Sequence, residues 1–278
     1  MIRKAYIEIT NVCNLSCPFC HGTKRAPRML PATGFRLFAE KLRPLTPYFY
    51  LHVLGEPLTH PDLDGILSVC DELGAKVTVT TNGTLIGKAG GALLRHPSLY
   101  KVAFSLHAFD ANFAPEALEN YLAPILSFAK AAKGKAIVVY KFWDGGAAGP
   151  SDGEMLARLK AAYPLFEPAR GGARLDDGVF VDIQDRFSWP DADANESPPA
   201  FCMALRDQIA VLSDGTVVPC CLDADGELAL GNLYTDDPET ILNSPRARAL
   251  TDGFSQGRAI EPLCRRCGFA EQRFGRGK

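Results

Sequence analysis

Three cysteines near the start of the chain have a spacing that could hold a metal cluster. Cys13, Cys17 and Cys20 follow a strand-like segment in the pattern Cys-x3-Cys-x2-Cys. With 9 cysteines in 278 residues, chance produces this spacing in only roughly 0.01 chains of this length. An irregular loop is needed to turn the three thiolates toward one centre. Three sulfurs around four irons would leave one iron without a protein ligand, and an open coordination position is typical of catalysis or cofactor binding.

The composition excludes several other classes of protein. The chain carries 30 Lys and Arg against 32 Asp and Glu, and 47% of its residues are hydrophobic. This balance gives no long-range attraction for a nucleic acid duplex or an anionic membrane. No apolar segment reaches the roughly 18 residues of a membrane span, and the first residues lead into a strand pattern rather than a signal peptide. We therefore expect a cytoplasmic protein with no membrane partner that acts on a small polar substrate.

Strand-like and helical segments alternate from residue 5 to about 184. The six predicted strands are Ala5–Thr10, Tyr48–Leu54, Lys76–Thr80, Lys101–Leu106, Ala136–Tyr140 and Val179–Ile183. The predicted helices between them are Gly34–Leu42, Leu63–Leu73, Leu85–Leu94, Pro115–Ala132 and Glu154–Ala162. This alternation predicts an α/β fold with a parallel sheet, in which the loops at the carboxyl ends of the strands carry the chemistry.

A second unit with its own cysteines is expected after a linker. Residues 186–201 are rich in Pro, Asp, Asn and Ser, so we predict domains at 1–185 and 202–278. The second domain is expected to hold a β-hairpin with an Asp214-Gly215 turn and a helix near Pro238–Leu250. Its cysteines are Cys202, Cys220, Cys221, Cys264 and Cys267. Hairpin sulfurs and a terminal Cys-x2-Cys are typical of a small unit held together by metal.

The first cysteine loop resembles that of the radical S-adenosylmethionine (radical SAM) superfamily. The resemblance implies a partial (β/α)6 TIM-like barrel and a 4Fe-4S cluster on Cys13, Cys17 and Cys20. It also implies S-adenosyl-L-methionine (SAM) bound to the open iron and cleaved to a 5′-deoxyadenosyl radical that removes hydrogen from the substrate. From the residues alone, a zinc site formed by the three cysteines and His21 is the alternative.

Further positions resemble the SAM-binding residues of this superfamily. Leu54-Gly55-Glu56-Pro57 resembles its Gly-Gly-Glu motif, with Leu54 in place of the first glycine. The resemblance implies that Gly55 and Glu56 bind the SAM amino group, that Phe19 lies near the adenine, and that Ser105 faces the ribose or carboxylate. His107, two residues after Ser105, is either part of this site or an ordinary loop histidine.

The second cysteine group resembles the SPASM/Twitch extensions of radical SAM enzymes. We expect a small C-terminal α+β Twitch-type domain with a second, auxiliary 4Fe-4S cluster, since the chain has none of the later cysteines of a full SPASM domain. The resemblance implies Cys202, Cys220, Cys264 and Cys267 as its ligands. Cys221 is then core filler, an alternative ligand or a thiol hydrogen donor.

The expected activity is hydrogen abstraction from a small metabolite, such as a sugar, amino-cyclitol or modified nucleobase, in a net oxidation. Lys141 and Asp182 are candidates to remove a substrate proton, within a wall that also includes Tyr140, Trp143, Gln184 and Arg186.

The alternatives are maturation of a ribosomally made peptide, epimerisation with Cys221 as hydrogen donor, and a queuine-type base lyase. The barrel begins at residue 5 without a leader-binding domain, which favours the small metabolite. The electron donor is expected to be a flavodoxin or ferredoxin. An iron-sulfur electron carrier and a zinc-braced binding module are the non-enzyme alternatives.

Overall fold

The structure is a computed structural model that describes residues 2–144, 148–191 and 193–274. The chain divides into two compact units. The terminal unit comprises Met1–Asn11, His21–Leu54 and Phe187–Lys278, and the central unit comprises Val12–Cys20 and Gly55–Arg186. No helix within the described ranges is long and apolar enough to cross a membrane. The predicted division into 1–185, a linker 186–201 and 202–278 stays a prediction.

The terminal unit is built on a mixed sheet with the order β11-β10-β9-β1-β2. Its strands are β1 (Lys4–Ile7), β2 (Tyr48–Tyr50), β9 (Gln208–Val211), β10 (Thr216–Val218) and β11 (Gly231–Asn232). Its helices are α1 (Ala32–Leu42), α6 (Pro238–Leu242), α7 (Pro245–Ser255), α8 (Pro262–Arg265) and α9 (Gly268–Phe274). Strand β1 runs parallel to both β2 and β9, and β10 is antiparallel to β9 and β11.

The hairpin predicted from Asp214-Gly215 is confirmed. It joins β9 to β10, and Gly215 has a φ of +88°, a value that favours glycine. The predicted helix Pro238–Leu250 is instead two helices, α6 and α7. Ser244 caps the start of α7, because its hydroxyl accepts the Ala247 N–H at 3.3 Å. Pro245 is the first helical residue. Because proline has no N–H to continue a helix but suits a first turn, the break falls here.

The strands of the central unit lie side by side in the order β3-β4-β5-β8-β7-β6. Its strands are β3 (Lys76–Thr81), β4 (Leu99–Ser105), β5 (Ile137–Trp143), β6 (Glu167–Ala169), β7 (Gly172–Asp176) and β8 (Val179–Gln184). Its helices are α2 (Leu63–Glu72), α3 (Ile86–Leu93), α4 (Leu118–Ala131) and α5 (Asp152–Ala162). Strands β3, β4, β5 and β8 are parallel. The six predicted strands are thus all present.

Two strands of the central unit were not expected from the sequence. Strands β6 and β7 form an antiparallel hairpin against β8. Strand β6 has the sequence Glu-Pro-Ala and is exposed along its length. It therefore lacks the buried, β-branched side chains by which a strand is recognised in a sequence.

Alternation along β5 decides which side chains face the site. Val138, Tyr140 and Phe142 are buried, whereas Lys141 and Trp143 are half-buried on the other face. Successive side chains of a strand point to opposite faces of the sheet. Lys141 and Trp143 therefore share a face, and Tyr140 lies on the opposite one.

Candidate functional site

The three N-terminal cysteines lie in an irregular loop of the central unit, as their spacing predicts. Cys13 and Cys20 are exposed, Cys17 is half-buried, and none is in a disulfide. The loop turns back at Cys17, whose carbonyl accepts the N–H of Cys20 at 3.0 Å. Burial raises the pKa of the Cys13 thiol, and the nearby Glu56, Cys17 and Cys20 raise it further. The three thiols are therefore close enough to interact electrostatically.

Two asparagine side chains donate N–H groups to this loop, and the sequence did not identify either role. Asn112 Nδ2 lies 3.1 Å from Cys17 Sγ. Asn82 Nδ2 lies 3.9 Å from Cys13 Sγ and 3.0 Å from Asn14 Oδ1. Asn82 follows β3 and Asn112 lies in the loop after β4, and loops after parallel strands are where functional side chains are expected.

Glu56 organises the loop that follows β2. Its side chain is only 2% exposed. One carboxylate oxygen accepts the Thr81 hydroxyl at 2.7 Å and the Leu58 N–H at 3.0 Å, and the other accepts the Asn82 N–H at 2.7 Å. Burial raises the pKa of this carboxyl, and these hydrogen bonds oppose the rise. Gly55 has a φ of +76°, so glycine suits this position in the motif.

An aromatic group lies beside the cysteine loop in the central unit. The Phe19 and Trp143 rings are perpendicular with centroids 4.2 Å apart, and His107 stacks on Trp143 at 4.2 Å. The Arg186 guanidinium lies 5.6 Å from the Phe19 ring centroid and 5.3 Å from that of Trp143. Burial, with the nearby Lys141 charge, lowers the pKa of His107 to about 4. The imidazole is therefore neutral near pH 7, and a planar ligand would meet aromatic faces here.

Polar residues line up across three neighbouring strands at their carboxyl ends. Lys141 on β5 is in register with Ser105 on β4 and with Asp182 on β8. Gln184 donates to both oxygens of Asp182, at 2.9 and 2.8 Å. Residues in register on neighbouring strands share a face. The structure thus brings Ser105, Lys141 and Asp182 into one row.

Tyr140 does not belong to this row. Its side chain is fully buried, and its hydroxyl lies 2.6 Å from that of Tyr163. The expectation that it lines the substrate wall is not supported, because β5 continues past Tyr140 and alternation turns this side chain away from Lys141.

The terminal unit contains a cavity of about 240 Å³ lined by four cysteines. These are the four expected ligands of the second cluster, Cys202, Cys220, Cys264 and Cys267. Apolar side chains, including Leu263 and Phe254, form much of the remaining wall. Burial raises the pKa of the Cys220 thiol well above its usual range, and the nearby Cys221, Cys202 and Cys264 add to this effect. Burial also raises the pKa of Cys267, to about 11.

Cys221 occupies a different environment from its neighbour Cys220. It packs on a group of buried residues that includes Tyr6 and Ala224, and the partly buried Tyr50 and Trp189 pack on the same group. Burial raises the pKa of Tyr6 well above its usual range, and a hydrogen bond with Cys221 contributes to the rise. Within the described ranges, Cys221 is not among the residues that line the four-cysteine cavity.

Both cysteine sets fit an iron-sulfur cluster in the chemistry of their donors. Such clusters are held by cysteine thiolates, and hydrogen bonds to the sulfurs tune them. Cys13, Cys17 and Cys20 interact with one another and receive N–H donors, and the other four cysteines share one apolar cavity. In the part of the chain that the structure describes, no three or more His, Cys, Asp or Glu side chains are placed to hold a single metal ion.

Comparison with protein families identifies both parts of the chain. Residues 7–152 match the Radical SAM superfamily. Residues 202–268 match the SPASM iron-sulfur cluster-binding domain. The first match includes Cys13, Cys17, Cys20, Glu56 and Asn112, and the second includes all four cysteines of the cavity.

One relative is similar in sequence to this chain over part of its length. A probable GTP 3′,8-cyclase from Pyrobaculum aerophilum is 30% identical over 112 residues, which cover 39% of this chain and 36% of that protein. The match thus spans about a third of that relative's length.

Solved structures are similar over most of this chain. BtrN in complex with AdoMet and 2-DOIA has a TM-score of 0.62 and 19% identity, covering 96% of this chain and 93% of BtrN. SuiB from Streptococcus suis bound to S-adenosylmethionine has a TM-score of 0.62 and 16% identity, covering 96% and 72%. At these identities the likeness concerns the α/β fold, which confirms the predicted fold class.

The cofactors of the matched domains are SAM and 4Fe-4S clusters. The cysteine loop, the α/β fold and the two domain matches together show that this chain belongs to the radical SAM superfamily and carries a SPASM iron-sulfur cluster-binding domain.

Proposed function

We propose that this radical SAM enzyme oxidises a small, polar, hydroxyl-bearing substrate bound against the row Ser105, Lys141 and Asp182. The observation that carries the proposal is the register of these three residues, which aligns a hydroxyl, an ammonium and a carboxylate on one face. Neighbouring strands lie about 4.8 Å apart, a spacing that suits several polar groups on one small molecule. Such a row offers both donors and an acceptor to hydroxyl or amino groups.

Cys13, Cys17 and Cys20 would hold the SAM-binding cluster, and Cys202, Cys220, Cys264 and Cys267 the auxiliary one. When bound, the clusters and SAM supply hydrogen-atom abstraction and one-electron transfer. Phe19 would flank the adenine, and Gly55 and Glu56 would bind the SAM amino group. Glu56 Oε2 accepts only the Asn82 N–H among the bonds described, which leaves it acceptor capacity for an ammonium.

Lys141 and Asp182 would position and deprotonate the substrate. Converting an alcohol to a carbonyl removes two electrons and two protons. One electron and one proton leave together as the hydrogen atom taken from carbon, and the other electron would pass to the auxiliary cluster held by Cys202, Cys220, Cys264 and Cys267. The other proton leaves the hydroxyl oxygen, and the Asp182 carboxylate, in register with Lys141, would accept it. The Lys141 ammonium beside it would hold the same oxygen through a charge-assisted hydrogen bond.

BtrN, one of the structural neighbours, is described in complex with AdoMet and 2-DOIA. This supports a small substrate. SuiB is described bound to a precursor peptide, which keeps peptide maturation as the alternative. An electron donor such as flavodoxin or ferredoxin and a cytoplasmic location stay predictions from the sequence.

Epimerisation is a second candidate because of Cys221. This cysteine packs on the buried group that includes Tyr6 and Ala224 rather than lining the four-cysteine cavity. A thiol outside the ligand set could return a hydrogen atom to a substrate radical. Replacing Cys221 by Ala should then abolish solvent-derived deuterium in the product, whereas an oxidase would be unaffected.

The test is substrate-dependent formation of 5′-deoxyadenosine by the anaerobically reconstituted chain with dithionite and SAM. Candidate substrates are a panel of cyclitols, amino-cyclitols and sugars, and a matched panel of peptides. We expect stimulation by members of the first panel, with a carbonyl product in proportion to deoxyadenosine. Stimulation by peptides alone would replace the proposed substrate class with the alternative.

A further inference from the structure

Asn112 makes a long-range contact with one cysteine of the N-terminal loop. Its Nδ2 lies 3.1 Å from Cys17 Sγ, across 95 residues of sequence. The same Nδ2 lies 2.8 Å from the carbonyl oxygen of Ala108, and Oδ1 accepts the N–H of Ser16 at 3.2 Å. One carboxamide therefore contacts both the sulfur of Cys17 and the backbone of the residue before it.

The backbone that carries Asn112 is held in place. Its N–H donates to the carbonyl of Phe109 at 2.9 Å. Phe109 is fully buried and packs on Tyr121 and Phe113, with ring centroids 5.0 and 5.6 Å away. The amide is thus directed at the sulfur by a packed turn rather than by a mobile side chain.

Asn82 provides an internal comparison. Its Nδ2 is 3.9 Å from Cys13 Sγ and donates at 3.0 Å to Asn14. This amide is engaged mainly with another side chain, whereas the Asn112 amide lies close to its sulfur. We therefore expect Asn112 to have the larger effect on the loop.

An N–H group directed at a ligating sulfur favours the reduced form of a cluster. Reduction adds negative charge, part of which resides on the sulfurs, and a hydrogen-bond donor stabilises that charge. Hydrogen bonds to the sulfurs are accordingly among the features that set the reduction potentials of such clusters.

We propose that Asn112 is a positioning residue that orients the Cys17 sulfur and raises the reduction potential of the cluster held by Cys13, Cys17 and Cys20. The proposal rests on the ligand assignment made under the proposed function. It concerns reduction of the cluster that these three cysteines would hold, and it does not depend on which substrate the enzyme uses.

The test is a redox titration of the full chain after anaerobic reconstitution, followed by electron paramagnetic resonance. The signal that changes on addition of SAM identifies the N-terminal cluster. Asn112→Leu removes the donor without adding charge, and Asn120→Leu on the exposed surface of α4 is the control. At a fixed potential we expect Asn112→Leu to lower the ratio of reduced to oxidised cluster at least about threefold, roughly 30 mV for a one-electron couple. Asn120→Leu should leave the ratio unchanged.

An unchanged potential in Asn112→Leu at full iron content would overturn the proposal. Should that variant lose iron, Asn112→Asp keeps an acceptor for Ser16 but removes the N–H beside the sulfur. Loss of iron in Asn112→Asp, with full iron in Asn120→Asp, supports the positioning of the Cys17 sulfur by this amide, and wild-type iron content and potential in Asn112→Asp contradict the proposal. If instead Cys17→Ala retains the SAM-sensitive signal, the ligand assignment itself fails, which is a separate outcome.

Discussion

Lys141 and Asp182 lie directly opposite each other on the neighbouring parallel strands β5 and β8. They are 41 positions apart in the sequence, and the register of the two strands places them side by side. Lys141 is also in register with Ser105, so a cation, an anion and a hydroxyl share one face of the sheet. This pair is the basis of the first prediction.

Replacing Lys141 by Ala should uncouple SAM cleavage from product formation. The ammonium is expected to hold the substrate oxygen, so its loss should lower product yield at least about tenfold, a difference of about 1.4 kcal/mol. Deoxyadenosine should still form. The measurement is the ratio of product to deoxyadenosine, with Lys130→Ala on the exposed face of α4 as control. An unchanged ratio would dismiss the role of Lys141.

Replacing Cys264 and Cys267 together by Ala should remove one cluster. Both line the four-cysteine cavity, and two remaining thiols are too few for the four-thiolate ligation of such a cluster. Iron content should fall by about half after reconstitution, and turnover should be lost. Cys70→Ala, which removes a buried thiol from α2, should keep its full iron content. Full iron in the double variant would contradict the assignment of these ligands.

Glu56→Gln should weaken the loop after β2. The carboxylate accepts the N–H groups of Leu58 and Asn82 and the hydroxyl of Thr81. A glutamine places an NH₂ against one of these donors, and an unpaired buried donor costs about 1–3 kcal/mol. Chemical denaturation should show a loss of stability of this size together with weaker SAM binding. The exposed Glu116→Gln is the control, and equal stability of both variants would argue against this function of Glu56.

His107 should make stability depend on pH. Burial holds its folded-state pKa at about 4, below its usual value of 6.5. The unfolded chain therefore binds a proton first as pH falls, so stability is complete above about pH 6.5 and is lost progressively toward pH 4. The loss attributable to this group is at most about 3 kcal/mol. The stability of the wild type relative to His107→Gln should therefore fall as pH is lowered from 8 to 4, and a constant difference in unfolding free energy over this range would contradict this.

Breaking the buried pair of Glu8 and Arg25 should destabilise the terminal unit. Glu8 is fully buried, and Arg25 Nη2 lies 2.6 Å from its Oε1. Glu8 also accepts the N–H of Ser213 at 3.0 Å. Arg25→Met would leave a buried, unpaired carboxylate and should cost about 3–5 kcal/mol.

The matched double variant separates charge from packing in this pair. Glu8→Gln combined with Arg25→Met removes both charges, so we expect it to be more stable than Arg25→Met alone. Arg36→Met breaks the exposed pair with Glu40 and should change the unfolding free energy by less than about 1 kcal/mol. A double variant no more stable than Arg25→Met would show that packing of the arginine, rather than charge pairing, matters here.

The sequence was informative where chemistry depends on local spacing. The Cys-x3-Cys-x2-Cys loop, the six parallel-type strands and the Asp214-Gly215 turn are all encoded within short segments, because residue period and turn geometry act over a few residues. The positive φ of Gly55 agrees with its place in the motif after β2. The break between α6 and α7 also depends on neighbouring residues alone, because Ser244-Pro245 is a typical start of a helix.

Only the tertiary structure decided which distant side chains meet. The row of Ser105, Lys141 and Asp182 depends on the register of neighbouring strands. The position of Tyr140 on the opposite face from Lys141 depends on β5 continuing to Trp143. The contact of Asn112 with Cys17 and the pairing of Glu8 with Arg25 join segments that no periodicity relates. The sequence by itself thus determined the family, the fold class and the thiols available as ligands. The electrostatic surroundings of those thiols and the polar face of the sheet arise from packing, because hydrogen bonds and buried charges act through space rather than along the chain.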